Sequence, residues 1–439
     1  MILNSSKFTR YPHFGTVPIY KVSGERPSTH RFFDTSPISP SGHYIAYTEF
    51  HRDDERPRPG DPADVVVIDL ESGAEVYRTE TAAWDTQLGA QVQWGGTDAE
   101  LLFNRVDENW TVYGVRYDLS SGTEDRLPGP VYMVSSDGNY SASPSMNKLQ
   151  HVQVGYGVRV PREAAPLNEG APLDDGLFVT DLRSGRHSML VSIRDIYTEL
   201  SPHFQDLRMT EGGFYGFHVK WSPARDALMF LIRWKPKALG TKSKNYLITM
   251  KADGSQLAMA MPSRKWGNGH HPNWCPDGKS IIMNVSIAND MHFPWLDRAV
   301  SKVLRKAHIP YYTRAYDLRF GRFRADGSDL QVLSKRAYGS GHPSMHPNGR
   351  LVLADAYPHE RVSFGDGTVP IRLLDLSEDR ELLAARVPAV PMFAGEHAEW
   401  RVDPHPVWHR DGKHVTFNAA PNKLRGVFIA DFSSLPNIG

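Results

Sequence analysis

The sequence predicts an all-β protein, a seven-bladed β-propeller, and three observations carry that prediction. A His-led turn pattern returns at fixed offsets through the second half of the chain. Strands and turns alternate from end to end with little helical periodicity. The last repeat is one strand short, and a β-type run near the N-terminus can supply it. The pattern reads His218-Val219-Lys220-Trp221-Ser222-Pro223, His271-Pro272-Asn273-Trp274-Cys275-Pro276-Asp277-Gly278, His342-Pro343-Ser344-Met345-His346-Pro347-Asn348-Gly349 and His405-Pro406-Val407-Trp408-His409-Arg410-Asp411-Gly412. An apolar run follows each turn, at 227–232, 280–285, 351–356 and 414–419. Recurrence every 50 to 70 residues, roughly, is a spacing suited to propeller blades.

Each element follows in order. Residues 1–16 read as an irregular lead-in. The run 17–22 is a short strand, with Pro18 suited to an edge or a strand start. Residues 29–42 lead into a strand at 44–50, and a Pro-rich loop at 56–62 precedes the next. Seven units open near Thr35, Gln91, Val131, His218, His271, His342 and His405. Their later strands lie at 65–70, 112–119, 177–182, 246–251, 318–324, 371–376 and 426–432. Pairing of 17–22 beside 426–432 would close the ring and remove sheet edges that invite association. Two segments stand outside the meander: a long loop at 154–175 and an insertion in the fifth blade at 289–312, with a short helix expected around 296–307. One propeller domain then spans 1–439.

Composition sets bounds on function. Fifty basic and 50 acidic residues balance, so bulk charge favours neither nucleic acid nor an anionic membrane. The single cysteine, Cys275, excludes an intrachain disulfide and a thiolate metal cluster. No apolar run is long enough to span a bilayer. The N-terminus lacks the apolar core of a secretory signal, which reads as cytoplasmic. Phosphate-loop, nucleophile-elbow and dinucleotide fingerprints are absent.

In a propeller the residues at one repeat position converge around the axis. The ring here reads Thr35, Gln91, Val131, His218, His271, His342, His405, with the four histidines contiguous on one side. Neutral imidazole is a common ligand of transition metals, and several converging imidazoles make such a site. Asp403, two residues before His405, adds an oxygen ligand if the segment is extended. The structural alternative has each His capping its turn against Trp or Pro. His30 and Gln91 are candidates for substrate contact near the same cleft. Tyr132 and Lys148 would bring a phenol and a cation to one face of the third blade.

These residues carry a family resemblance. Apart from its His, the blade signature is similar to TolB-like propeller repeats. The combination of His271, His342 and Asp403-Pro404-His405-Pro406 resembles oligogalacturonate lyases, seven-bladed propellers that degrade unsaturated pectin fragments with Mn²⁺ in the channel. The resemblance covers about 210 to 432. It implies that His271 is the base and that His342, Asp403 and His405 hold the metal. Two positions depart from the family: its further Gln ligand falls near Trp400, and Asp403 replaces the first His of a His-Pro-His. The N-terminal half is similar to ulvan lyases, whose Tyr and Arg would fall on Tyr132 and Lys148. The expectation is a metal-dependent lyase cleaving uronic-acid-containing oligosaccharides by β-elimination. His271 is carried as base or as metal ligand, and His218 as the second candidate base. The alternatives are a non-catalytic TolB-like interaction propeller and a metal-dependent glycoside hydrolase.

Overall fold

Seven antiparallel sheets form the ring in the computed structural model, which describes residues 3–267, 269–288, 299–300, 303–304, 316–391, 398–435 and 438. Each sheet has four strands in sequence order, except the last. The innermost strands are Ser28–Thr29, Gln93–Trp94, Met133–Val134, Gly212–Trp221, His270–Trp274, Ser344–Met345 and Val407–Trp408. The fifth-blade insertion, and most of the helix expected in it, lie outside the described residues. The helix-region positions described, 299–300 and 303–304, are helical.

Ring closure is as expected. Ile19–Lys21 pairs antiparallel with Gly426–Asp431, Ile19 opposite Ala430 and Lys21 opposite Phe428. The lead-in is less irregular than expected, because Thr9–Arg10 adds a fifth strand against Tyr20 and Lys21. Both residues of that strand are exposed. A two-residue edge strand with no buried side chain leaves no periodic trace in a sequence.

Blade strands read as continuous apolar runs because both faces are covered by neighbouring blades. In Gly426–Asp431, Val427 and Ile429 pack toward the first blade with Ile45 and Val66. Phe428 and Ala430 pack the other way, with Val415, Phe417 and Ile371. All four are fully buried. Full burial of a Phe or Ile side chain is worth about 1.5–3 kcal/mol, so each blade interface is a core in its own right.

The axis is filled by the segment entering the first blade. Phe32 packs on His218, His342 and His405, with ring centroids 5.1, 5.9 and 4.7 Å away. Phe33 lies 5.9 Å from His271 and 5.1 Å from His342. On the other side, Arg31 donates to Gln91 Oε1 (3.0 Å) and to Asp34 (2.6 Å), and Asp34 meets Lys220 Nζ at 3.0 Å. Phe33 borders a cavity on each side of itself, so this plug divides the channel.

Candidate metal centre and channel cavity

Local backbone irregularity aims the ring residues. Gln91, His271 and His405 have φ of +60, +56 and +48°, the left-handed region that non-glycine residues rarely occupy. Such residues cost of order 1 kcal/mol or more and gather at functional sites. Register shifts between Gly216 and His218 and between His270 and Asn273 mark bulges, which turn a side chain out of the ladder. At the sixth blade the preceding glycine makes the turn: Gly341 has φ +69°, and a Cβ there would meet Asp355 Oδ1 at 2.2 Å. Only glycine lets that carboxylate approach.

Three residues bring ligand atoms within 4.8 Å of one another: His342, Asp403 and His405, all buried. Asp355 organises them. It accepts from His342 Nδ1 at 2.9 Å, from the His342 backbone N–H at 2.6 Å and from the His405 backbone N–H at 3.1 Å. Donation from Nδ1 leaves the His342 Nε2 lone pair free, and among the described residues that atom is buried without a hydrogen-bond partner, as are both ring nitrogens of His405. A carboxylate holding the far nitrogen of an imidazole is the arrangement that orients metal-binding histidines. Burial, then the neighbouring His342, keeps His405 well below the ordinary histidine range and therefore neutral. Arg401 Nε lies 3.2 Å from Asp403 Oδ2. Two imidazoles with orphaned nitrogens and one carboxylate fit a divalent transition metal. Asp403 contributes although 401–406 is not a strand as expected; the strand begins at Val407.

His271 stands apart from this cluster. Its ring lies against His342 with centroids 3.9 Å apart, but Nδ1 donates to Gly341 O at 2.7 Å and Nε2 takes the Tyr357 hydroxyl at 3.0 Å. The four-histidine sharing of one ion is thus corrected to a group of His342, His405 and Asp403. His218 is on the far side of Phe32, its Nδ1 hydrogen-bonded to the Tyr132 hydroxyl. Burial pushes the pKa of both His218 and His271 well below 6.5.

His218 and His271 border one cavity of about 320 Å³, together with Lys220, Arg233, Tyr357 and Glu360. Arg233 binds only neutral acceptors among the described residues: Asn245 Oδ1, Val152 O and Gln153 Oε1. Burial raises the Glu360 carboxyl to about 7. The other expected contacts do not reach this cavity. Gln91 is buried and binds the plug through Arg31. His30 is fully buried behind the plug, where burial lowers its pKa to about 3. Lys148 opens a short 3-10 turn and holds Asn168 Oδ1 at 2.7 Å and Asp175 at 3.6 Å. Tyr132 is buried and bonded to His218.

Asp355, Tyr357, Glu360 and Lys220 escaped the sequence reading, yet Asp355 left a signal. It lies thirteen residues after His342, and Thr48, Asn104, Asn284 and Asn418 hold the same place after Thr35, Gln91, His271 and His405. All are buried, and each side chain grips the backbone of the following blade's entry: Thr48 to Ala90, Asn104 to Val131, Asn284 to Gly341, Asn418 to His30. Asp355 does the same to His405. As a carboxylate, it alone of the five also takes an imidazole N–H.

No protein-family model matches the chain, and no curated protein does. Solved structures match along almost its whole length. An oligogalacturonate lyase in complex with manganese superposes with a TM-score of 0.61 at 13% identity, covering 98% of this chain and 96% of that one. An oligogalacturonate lyase from Vibrio parahaemolyticus gives 0.60 at 10% identity, covering 98% and 97%. The fold is that of the oligogalacturonate lyases. TolB from Acinetobacter baumannii is also similar, with a TM-score of 0.38 at 10% identity, covering 89% and 80%.

Proposed function

We propose that this propeller is a metal-dependent lyase that cleaves uronic-acid-containing oligosaccharides by β-elimination. The observation that carries the reading is the group of His342, His405 and Asp403, with orphaned imidazole nitrogens, beside a cavity whose wall holds a differently bonded histidine. His342 through Nε2, His405 and Asp403 would hold the ion, with Asp355 fixing the His342 tautomer. We assign a divalent transition metal, Mn²⁺ from the mixed nitrogen and oxygen donors and from the manganese named in the similar lyase structure. When bound, such an ion neutralises a substrate carboxylate, which acidifies the hydrogen on the adjacent C5.

The remaining work falls to side chains. His271 donates through Nδ1 to Gly341, so the lone pair is on Nε2 and faces the cavity rim at Tyr357. A C5 hydrogen brought there replaces the Tyr357 contact, and Nε2 accepts the proton. Depression of its pKa keeps His271 in the accepting form at neutral pH. Arg233, which binds only neutral acceptors among the described residues, supplies positive charge to an acidic chain. Closure of the axis by Phe32 and Phe33 limits access of water from the opposite mouth. The test is metal analysis of the purified protein, followed by a search for the ultraviolet absorbance of a conjugated 4,5-unsaturated uronate across a panel of uronides. New reducing ends without that absorbance would mean hydrolysis, and neither product on any uronide would refute both enzymatic readings.

A further inference from the structure

We propose that His218 is the proton donor to the departing sugar oxygen, held by Tyr132 in the tautomer that carries its proton on Nε2. This rests on the lyase reading and adds the group that serves the leaving side of the bond. A buried hydroxyl has to place its one proton. Tyr132 is 1% exposed, and among the described residues His218 Nδ1 is the hydrogen-bond partner of its hydroxyl. The O–H therefore donates and Nδ1 accepts, which leaves the ring proton of neutral His218 on Nε2. Packing fixes the ring: Phe217 at 3.7 Å, Phe32 nearly parallel at 5.1 Å, Tyr156 edge-on at 5.6 Å. With Nδ1 turned to Tyr132, Nε2 is left for the cavity that the ring borders.

His271 is the opposite case. Its Nδ1–H is spent on a backbone carbonyl, so its Nε2 is a lone pair. Two imidazoles on one cavity thus present a proton acceptor and a proton donor. Elimination uses one of each. His271 Nε2 takes the C5 proton, the C5–H electrons become the C4–C5 double bond, and the C4–O4 bond breaks with its pair on O4. O4 takes the His218 Nε2 proton while Nδ1 takes the Tyr132 proton. A sugar alkoxide is a stronger base than an ordinary phenolate; burial raises the Tyr132 hydroxyl well above the usual phenol range, and the Arg31 charge opposes that rise. The step ends with His271 protonated and Tyr132 as phenolate, with the Arg31 guanidinium 5.1 Å from that ring. Transfer of one proton from His271 through solvent to His218 Nε2, with the Nδ1 proton returning to the Tyr132 phenolate, restores all three groups, so no other reactant is needed.

The test compares two substrates of the full-length, metal-loaded protein. One is a plain oligouronide; the other is a uronide carrying 4-nitrophenoxide at C4, which departs without a proton. His218→Ala is expected to lower kcat on the first by about 10²-fold or more, and on the second by less than about tenfold. Tyr132→Phe keeps the ring packing and should show the same asymmetry with a smaller loss, which preserves the comparison if His218→Ala fails to fold. His271→Ala should lose equally on both, since the C5–H bond breaks in each. Equal losses on the two substrates for either His218→Ala or Tyr132→Phe, or an unchanged kcat on the oligouronide, overturn the assignment. Wild-type protein that forms unsaturated product from neither substrate refutes the lyase reading itself, a result distinct from these.

Discussion

The two walls of the channel differ in what their buried polar groups face: opposite charges on one, a cluster of possible metal ligands on the other. On the wall of the first to fourth blades, Arg31, Asp34, Gln91 and Lys220 are buried and tied to one another, although Arg31 Nη2 and Gln91 Nε2 have no hydrogen-bond partner among the described residues. On the wall of the sixth and seventh blades, Asp355 fixes the far side of His342, yet Nε2 of His342 and both nitrogens of His405 have no hydrogen-bond partner among the described residues. Burying a polar atom without a partner costs a few kcal/mol, roughly, unless something supplies the missing bond. The first wall holds the plug, and in the proposed reading the second receives the metal ion. Residue type alone does not separate them, since both walls are rich in charge and hydrogen-bonding groups.

The largest expected effect breaks the receiving wall. His342→Ala with His405→Ala leaves one carboxylate, so bound metal and product formation should both vanish. Metal analysis of the purified variant checks this, and retained stoichiometric metal would show that another group holds the ion.

His271→Ala should lower turnover by about 10² to 10⁴-fold and leave the metal in place, because the ligand group does not include His271. The pH profile sharpens this point. Burial and neighbouring imidazoles lower the His271 pKa well below 6.5, so the base is lost only as pH falls through that depressed value. The acid limb of kcat/KM should lie below the usual histidine range. A limb at or above it would assign the base elsewhere.

Breaking the charge-paired wall should cost stability instead of chemistry. Asp34→Asn leaves Lys220 and Arg31 without their buried counter-charge, a loss of about 3–5 kcal/mol in denaturant unfolding. Burial opposes ionisation of Asp34, but Lys220 and Arg31 more than offset it and hold the carboxyl well below its usual range. That stabilisation is present above the unfolded carboxylate pKa of about 3.9 and is lost as pH falls toward the depressed folded value. The gap between wild type and variant should therefore close in acid. A gap independent of pH would mean that the ion pair is not its source.

The smallest effect tests the organiser. Asp355→Asn keeps the size of the side chain and can still grip the backbone, as Asn284 and Asn418 do. It should weaken metal binding by about 10 to 100-fold with the melting curve little changed. An unchanged affinity would make Asp355 purely a clip between blades.

Period and polarity were legible in the linear chain. The turn pattern after His218, His271, His342 and His405, the apolar runs and the missing strand together determined seven blades closed by Ile19–Lys21, because a repeat writes its geometry at constant offset. The same offset placed His342 and His405 near one another. What tertiary structure alone decided is how each imidazole is bonded. The Asp355 contact to His405, the Gly341 contact to His271 and the Tyr132 contact to His218 each cross from one blade to another, between residues far apart in sequence. They set the proposed ligands apart from the proposed base, and that base apart from the proposed donor. The plug belongs with them: Phe32 and Phe33 read as part of a lead-in, and only a closed ring gives that lead-in an axis to fill.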